Sequence, residues 1–159
     1  MEYLSQTGIN LMLEAWSQWD PNIQNYGFGQ LYNENGETKV EQVYPQMWVN
    51  PVNTVVGEYS LLRSYQILIF DAPFDSSNGD NINKIVSDSE EIALRLIRFL
   101  KTYSEVFDIP GQPTITAFTD KFLDDVCGVI IDITIESNAE YANCEDPAYA
   151  PSIIYNNIK

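Results

Sequence analysis

The sequence predicts an α+β domain: a small, mainly antiparallel β-sheet with helices packed on one face and an extended C-terminal arm. Three observations lead there. Val129, Ile131, Ile133 and Ile135 alternate with Ile130, Asp132, Thr134 and Glu136, so one face of a strand is continuously apolar and the other mostly polar. Across residues 80–103, Ile82, Ile85, Val86, Ile92, Leu96, Phe99, Leu100 and Tyr103 recur at the three- and four-residue spacing of a helix face that can cover such a sheet. Beyond Ser137 the periodicity stops, although the remaining chain is not polar. With 159 residues, 45% of them apolar, the chain suits one domain that buries about two-thirds of its unfolded surface. Residues 1–137 form that domain and residues 138–159 the arm.

Taken in order, Ile9, Met12, Leu13 and Trp16 make one apolar stripe on a first helix, which Pro21 terminates. Residues 26–32 and 39–49 are rich in aromatic and β-branched residues and flank Asn33-Glu34-Asn35-Gly36-Glu37, which predicts a hairpin turning at Asn35-Gly36. Pro45 interrupts the second arm and marks an edge or bulge there. Residues 59–71 predict a third strand with Tyr65, Ile67 and Ile69 on one face and Leu68 and Phe70 on the other; apolar on both faces at its end, it belongs in the centre of the sheet. A polar loop over residues 71–80 ends in a helix N-cap, and Ser87 with Glu90 offers a second capping box should the helix break. Asp88, Glu90 and Glu91 precede Arg95, Arg98 and Lys101, which suits the helix dipole and predicts a Glu91–Arg95 pair on a solvated face or a subunit contact. Pro110-Gly111-Gln112-Pro113 stops the helical region and feeds a strand over residues 114–118, then a loop leads to the last strand.

Charge narrows the function. Eight basic residues against 23 acidic ones give a net charge of −15, which repels phosphate backbones and disfavours a nucleic-acid reader. The N-terminus lacks a basic region followed by an apolar core, and no apolar run is long enough to cross a bilayer, so synthesis in the cytoplasm without export and no membrane contact are expected. Cys127 and Cys144 have neither disulfide-framework nor zinc spacing and are read as buried or inert thiols.

Catalytic patterns are missing. Without histidine, Ser-His-Asp and Cys-His sites are excluded. Gly27-Phe28-Gly29 lacks the further glycine and helix of a phosphate-cradling loop and reads as a turn. Asp71, Asp75, Asn78 and Asp80 do not follow the calcium-loop order. Asp124 and Asp125, adjacent in an extended segment, point apart rather than at one bond. Tyr32, Tyr44 and Trp48 can form a carbohydrate-stacking platform, but aromatics alternating along a strand more often serve a core or an interface. No catalytic, cofactor or metal-binding residue is therefore expected. In the tail, Pro147 and Pro151 favour an extended course while Tyr149, Ile153, Ile154 and Tyr155 supply apolar surface, so these residues, with Tyr44 and Trp48, are the expected subunit interface.

Tyr44-Pro45-Gln46-Met47-Trp48-Val49-Asn50-Pro51, the strand at residues 65–71, the helix through Asp88-Ser89-Glu90-Glu91-Ile92, and the run from Phe118 through Asp124, Asp125 and Cys127 to Val129 together resemble small virion proteins of tailed bacteriophages. The order is similar to neck and tail-terminator proteins, those of the crAss-like phages among them, over roughly residues 30–137. That resemblance implies a homo-oligomeric ring in the virion that joins portal and connector to tail, contacts other neck, portal or tail proteins, and uses neither substrate nor cofactor. An acidic channel that lets DNA slide without gripping it fits the charge, and Asp124 and Asp125 are its expected lining. The competing reading is an acidic inhibitor that mimics DNA, which requires its carboxylates along one continuous face. An enzyme working with carboxylates alone requires two acidic groups facing each other in a pocket.

Overall fold

The computed structural model describes residues 4–30, 43–75, 77–119 and 125–139, and it has the α+β architecture: two helices and a five-stranded sheet. Helix α1, Gln6–Trp19, starts at Ser5, whose hydroxyl accepts the Gly8 N–H, and ends at Asp20 just before Pro21. Strands β1 (Asn25–Phe28), β2 (Gln46–Val56) and β3 (Ser60–Asp71) follow, then α2 (Gly79–Lys101), β4 (Thr114–Phe118) and β5 (Cys127–Asn138). The sheet order is β1-β2-β3-β5-β4, with β3 central as its two-sided apolarity requires. All neighbours pair antiparallel except β1 and β2.

That exception corrects the expected hairpin. Asn25 lies opposite Gln46 and Phe28 opposite Val49, so β1 and β2 run the same way. A tight turn makes only antiparallel neighbours, whereas a parallel pair needs a connection that travels back along the strand. The Asn35-Gly36 position and Tyr32 lie outside the described residues. Gly27 is likewise a strand residue and not a turn: a Cβ there would run into the six-membered ring of Trp48, its register partner. Pro45, joined to Tyr44 by a cis peptide bond, stands just before β2, and the bulge falls between Pro51 and Asn53 instead.

Both helices lie on one face of the sheet. Ile9, Met12, Leu13 and Trp16 from α1, and Ile92, Ala93, Leu96 and Leu100 from α2, form a single core with Met47, Val49, Tyr65, Ile67, Ile69 and the alternating Val129, Ile131, Ile133 and Ile135. Trp16, Phe99, Tyr103 and Phe107 continue it as a row of ring contacts at the end of α2, with centroids 6.3, 5.0 and 6.4 Å apart. Helix α2 is unbroken through Ser87, so no second cap is used there; Asn78 caps its start by accepting the N–H groups of Asp80 and Asn81.

Arg95 does not pair with Glu91. It reaches across to α1, where its Nε and Nη2 donate to the Asp20 carboxylate at 2.9 and 3.2 Å. The i,i+4 pair on α2 is instead Lys84 with Asp88, solvent-exposed and worth little. Among the described residues, no helix is long and apolar enough to cross a membrane.

Candidate functional site

The sheet face away from the helices changes character along its length. At the end near the start of β2, Trp48, Leu68, Phe70, Phe118 and Val126 pack into a second, smaller cluster, with Tyr44 and Ile130 against it. Further along, cross-strand partners are polar: Ser64 and Thr134 hydroxyls lie 3.0 Å apart, and Gln66 Nε2 donates to Asp132 at 3.1 Å. One end of this face is thus an apolar patch and the other a ladder of polar cross-strand pairs.

Trp48, expected at a subunit contact, is committed within its own domain. Its indole lies over Gly27 of β1, its Nε1 donates to the Gly29 carbonyl at 2.8 Å, and only 7% of it is exposed. Tyr44 is half-buried with its ring edge-on to Phe70, centroids 6.1 Å apart. Asp125 is exposed and adopts a left-handed backbone with φ 49°, a conformation aspartate tolerates better than most residues. Asp124, Tyr149, Ile153, Ile154 and Tyr155 lie outside the described residues.

What the sequence reading missed is the far half of β2. It takes the strand to end at Val49, but pairing with β3 continues past Pro51 to Val56, and β1 covers only residues 46–49. The outer edge of residues 50–56 therefore has no strand beside it among the described residues. Val52, Val55 and Val56 on this edge, and Tyr59 in the turn that follows, are exposed. A signal was present: Val52, Thr54, Val55 and Val56 are β-branched, and Gly57 precedes another apolar run, the mark of a hairpin. The Gly57 N–H closes that turn on the Ser60 carbonyl at 2.8 Å.

A cleft of about 410 Å³ lies between the end of α1 and α2, bounded by Pro21, Pro45, Asp71, Asp88, Ile92 and Arg95. Burial raises the Asp71 pKa, opposed by a hydrogen bond from the Ala72 N–H and assisted by the Asp88 carboxylate. Chemically the cleft can hold a proton on Asp71 at a pH where an ordinary aspartate has lost it. Asp88 itself is held by Lys84 at 2.6 Å. Among the described residues, no three His, Cys, Asp or Glu side chains converge as metal ligands.

No protein-family model matches the chain, and a search of curated proteins finds no match either.

Proposed function

We propose that this chain is a structural subunit of a tailed-phage virion, repeated as a homo-oligomeric ring in the neck or tail-terminator region, where it joins portal or connector proteins to the tail and lets DNA pass. The observation that carries the reading is the projecting half of the β2–β3 hairpin, which presents Val52, Val55, Val56 and Tyr59 to solvent beside a strand edge that no other described strand covers. Such an edge costs solubility in a lone molecule and finds its use in assembly. The net charge of −15 supports passive DNA passage, since a lumen lined by like charge repels the phosphate backbone.

The distribution of acids favours the ring over a DNA mimic. Asp71, Asp88 and Glu91 border the helix-side cleft, while Asp132 and Glu136 belong to the opposite face of the sheet. A mimic needs a single continuous array. The test is imaging of intact virions with the chain located by its fold: density for repeated copies around the channel at the head–tail junction supports the ring, and virions lacking the chain overturn it.

A further inference from the structure

We propose that the solvent face of α2 is a self-complementary docking surface, on which a second copy of this chain packs its own α2 antiparallel about a two-fold axis. The contact goes beyond the ring reading and does not depend on it.

Charge is distributed unevenly. Helix α2 carries four of the eight basic residues, Lys84, Arg95, Arg98 and Lys101, against four acidic ones, Asp80, Asp88, Glu90 and Glu91. It is therefore neutral, and the 19 acidic and four basic residues elsewhere carry the whole net charge of −15. Two copies repel over the rest of their surface, so α2 is where they approach most easily. At physiological salt that repulsion is screened beyond about 8 Å, whereas ion pairs made at contact persist.

Some of the helix charges are already used. Lys84 pairs with Asp88, and Arg95 with Asp20. Glu90, Glu91, Arg98 and Lys101 are exposed and form no ion pair among the described residues. Between these two acids and two bases stands Leu94, 51% exposed, on the side of α2 turned away from the buried Ile92 and Leu96. The helix dipole favours acids before bases, but it does not account for an exposed leucine between them or for half of the cations on one helix.

Helix geometry makes the pattern match itself. At about 100° per residue, Glu90 and Lys101 fall on one flank of Leu94, and Glu91 and Arg98 on the other. Within one helix the two charges of each flank lie roughly 16 and 10 Å apart along the axis, too far to meet. An antiparallel neighbour related by a two-fold axis at the level of Arg95 brings its Lys101 beside Glu90 and its Arg98 beside Glu91, each within about 1.5 Å of level. The same operation repeats both pairs, giving four, and brings the two Leu94 side chains together near the axis. Charged flanks beside an apolar seam are how paired helices select partner and direction. A parallel, in-register neighbour sets acid against acid and base against base, so the same charges reject it. A contact between one pair of helix faces is small beside the roughly 1,200 Å² of a lasting interface, so the dimer is a weak one.

Charge exchange in the full-length chain tests this by sedimentation. Glu90→Lys with Glu91→Lys, and separately Arg98→Glu with Lys101→Glu, turn the four attractive pairs into repulsive ones. Each variant is expected to self-associate at least about tenfold more weakly than the wild type while keeping its circular dichroism, since all four positions are exposed. In an equimolar mixture of the two variants every pair is attractive again, and association is expected to return to the wild-type level. Association untouched by either exchange, or lost in both and not regained on mixing, overturns the proposal. Independently, Leu94→Cys in a Cys144→Ser background places one thiol beside the axis in each copy, and a short bismaleimide is expected to join two copies. Cys127 is buried and stays unreacted. Val55→Cys, exposed on the β2–β3 hairpin, is expected to stay unlinked. No link through Leu94→Cys, or an equal link through Val55→Cys, overturns the proposal. Both assays are read in solution, so a dimer never found in virions defeats the ring reading alone, and a virion ring built from chains that fail both assays defeats this inference alone.

Discussion

The Asp20 carboxylate, with no solvent exposure, accepts a two-pronged hydrogen bond from the Arg95 guanidinium and so ties the end of α1 to the middle of α2. The same carboxylate accepts the Asn22 N–H at 2.9 Å, fixing the turn that leads into β1. Arg95→Met leaves a buried carboxylate facing an apolar side chain and is expected to cost about 3 kcal/mol, near the low end for breaking a buried pair because the guanidinium is partly solvated. Adding Asp20→Asn should recover part of that loss. Denaturant unfolding of the single and double variants checks it; additive losses would show that the pair is not coupled.

Leu96 is fully buried and Ile92 nearly so beneath the sheet. Replacing either by Ala is expected to destabilise the domain by about 2–5 kcal/mol, the range for emptying a packed aliphatic site. Equilibrium unfolding reads this directly, and wild-type stability in either variant would contradict the assignment of that helix face.

Gly27 gives up its side-chain space to Trp48. Gly27→Ala forces the indole off β1, and with it the Nε1 bond to the Gly29 carbonyl. The expected loss is about 1–3 kcal/mol, as for overpacking elsewhere, accompanied by a red-shifted tryptophan emission as Trp48 gains water. An unshifted spectrum with unchanged stability would show that β1 does not depend on this contact.

Asp71 predicts a pH effect. Its folded pKa is raised above the ordinary 3.8, so the folded chain holds that proton more tightly than the unfolded one. The contribution is therefore present in full below the unfolded value and is lost as pH rises through the raised folded value. Asp71→Asn keeps an acceptor for the Ala72 N–H, so it is expected to raise the thermal midpoint at neutral pH, with the gain shrinking as the pH falls towards about 3.5. A gain that is constant with pH would place the effect elsewhere.

Periodic burial was legible in the sequence. The alternation from Val129 to Ile135 and the helical spacing of Ile92, Leu96 and Leu100 each report which face is covered, and every one of those residues is buried. Pairing was less legible. Tyr26 and Phe28 pack against the core in either strand direction, so their pattern could not separate a hairpin from the parallel register, and Asn35-Gly36 favoured the wrong one. Arg95 found Asp20, distant in sequence, because local spacing presents Glu91 and carries no information about the end of another helix. The length of β2 was not legible either: proline ordinarily interrupts a strand, yet β2 absorbs Pro51 with a bulge and continues to Val56.

The central claim is that a self-sufficient domain is placed in an assembly by its C-terminal arm. The most direct measurement is removal of the residues after Ala139, whose N–H bonds the Tyr59 carbonyl beside the Asn138–Ser60 pair closing β5 on β3. Thermal unfolding of the shortened chain and its incorporation into particles are then compared with the full-length protein. An unchanged unfolding midpoint with loss from the particle is the expected result. Incorporation at the full-length level, or failure of the shortened chain to fold, would contradict it.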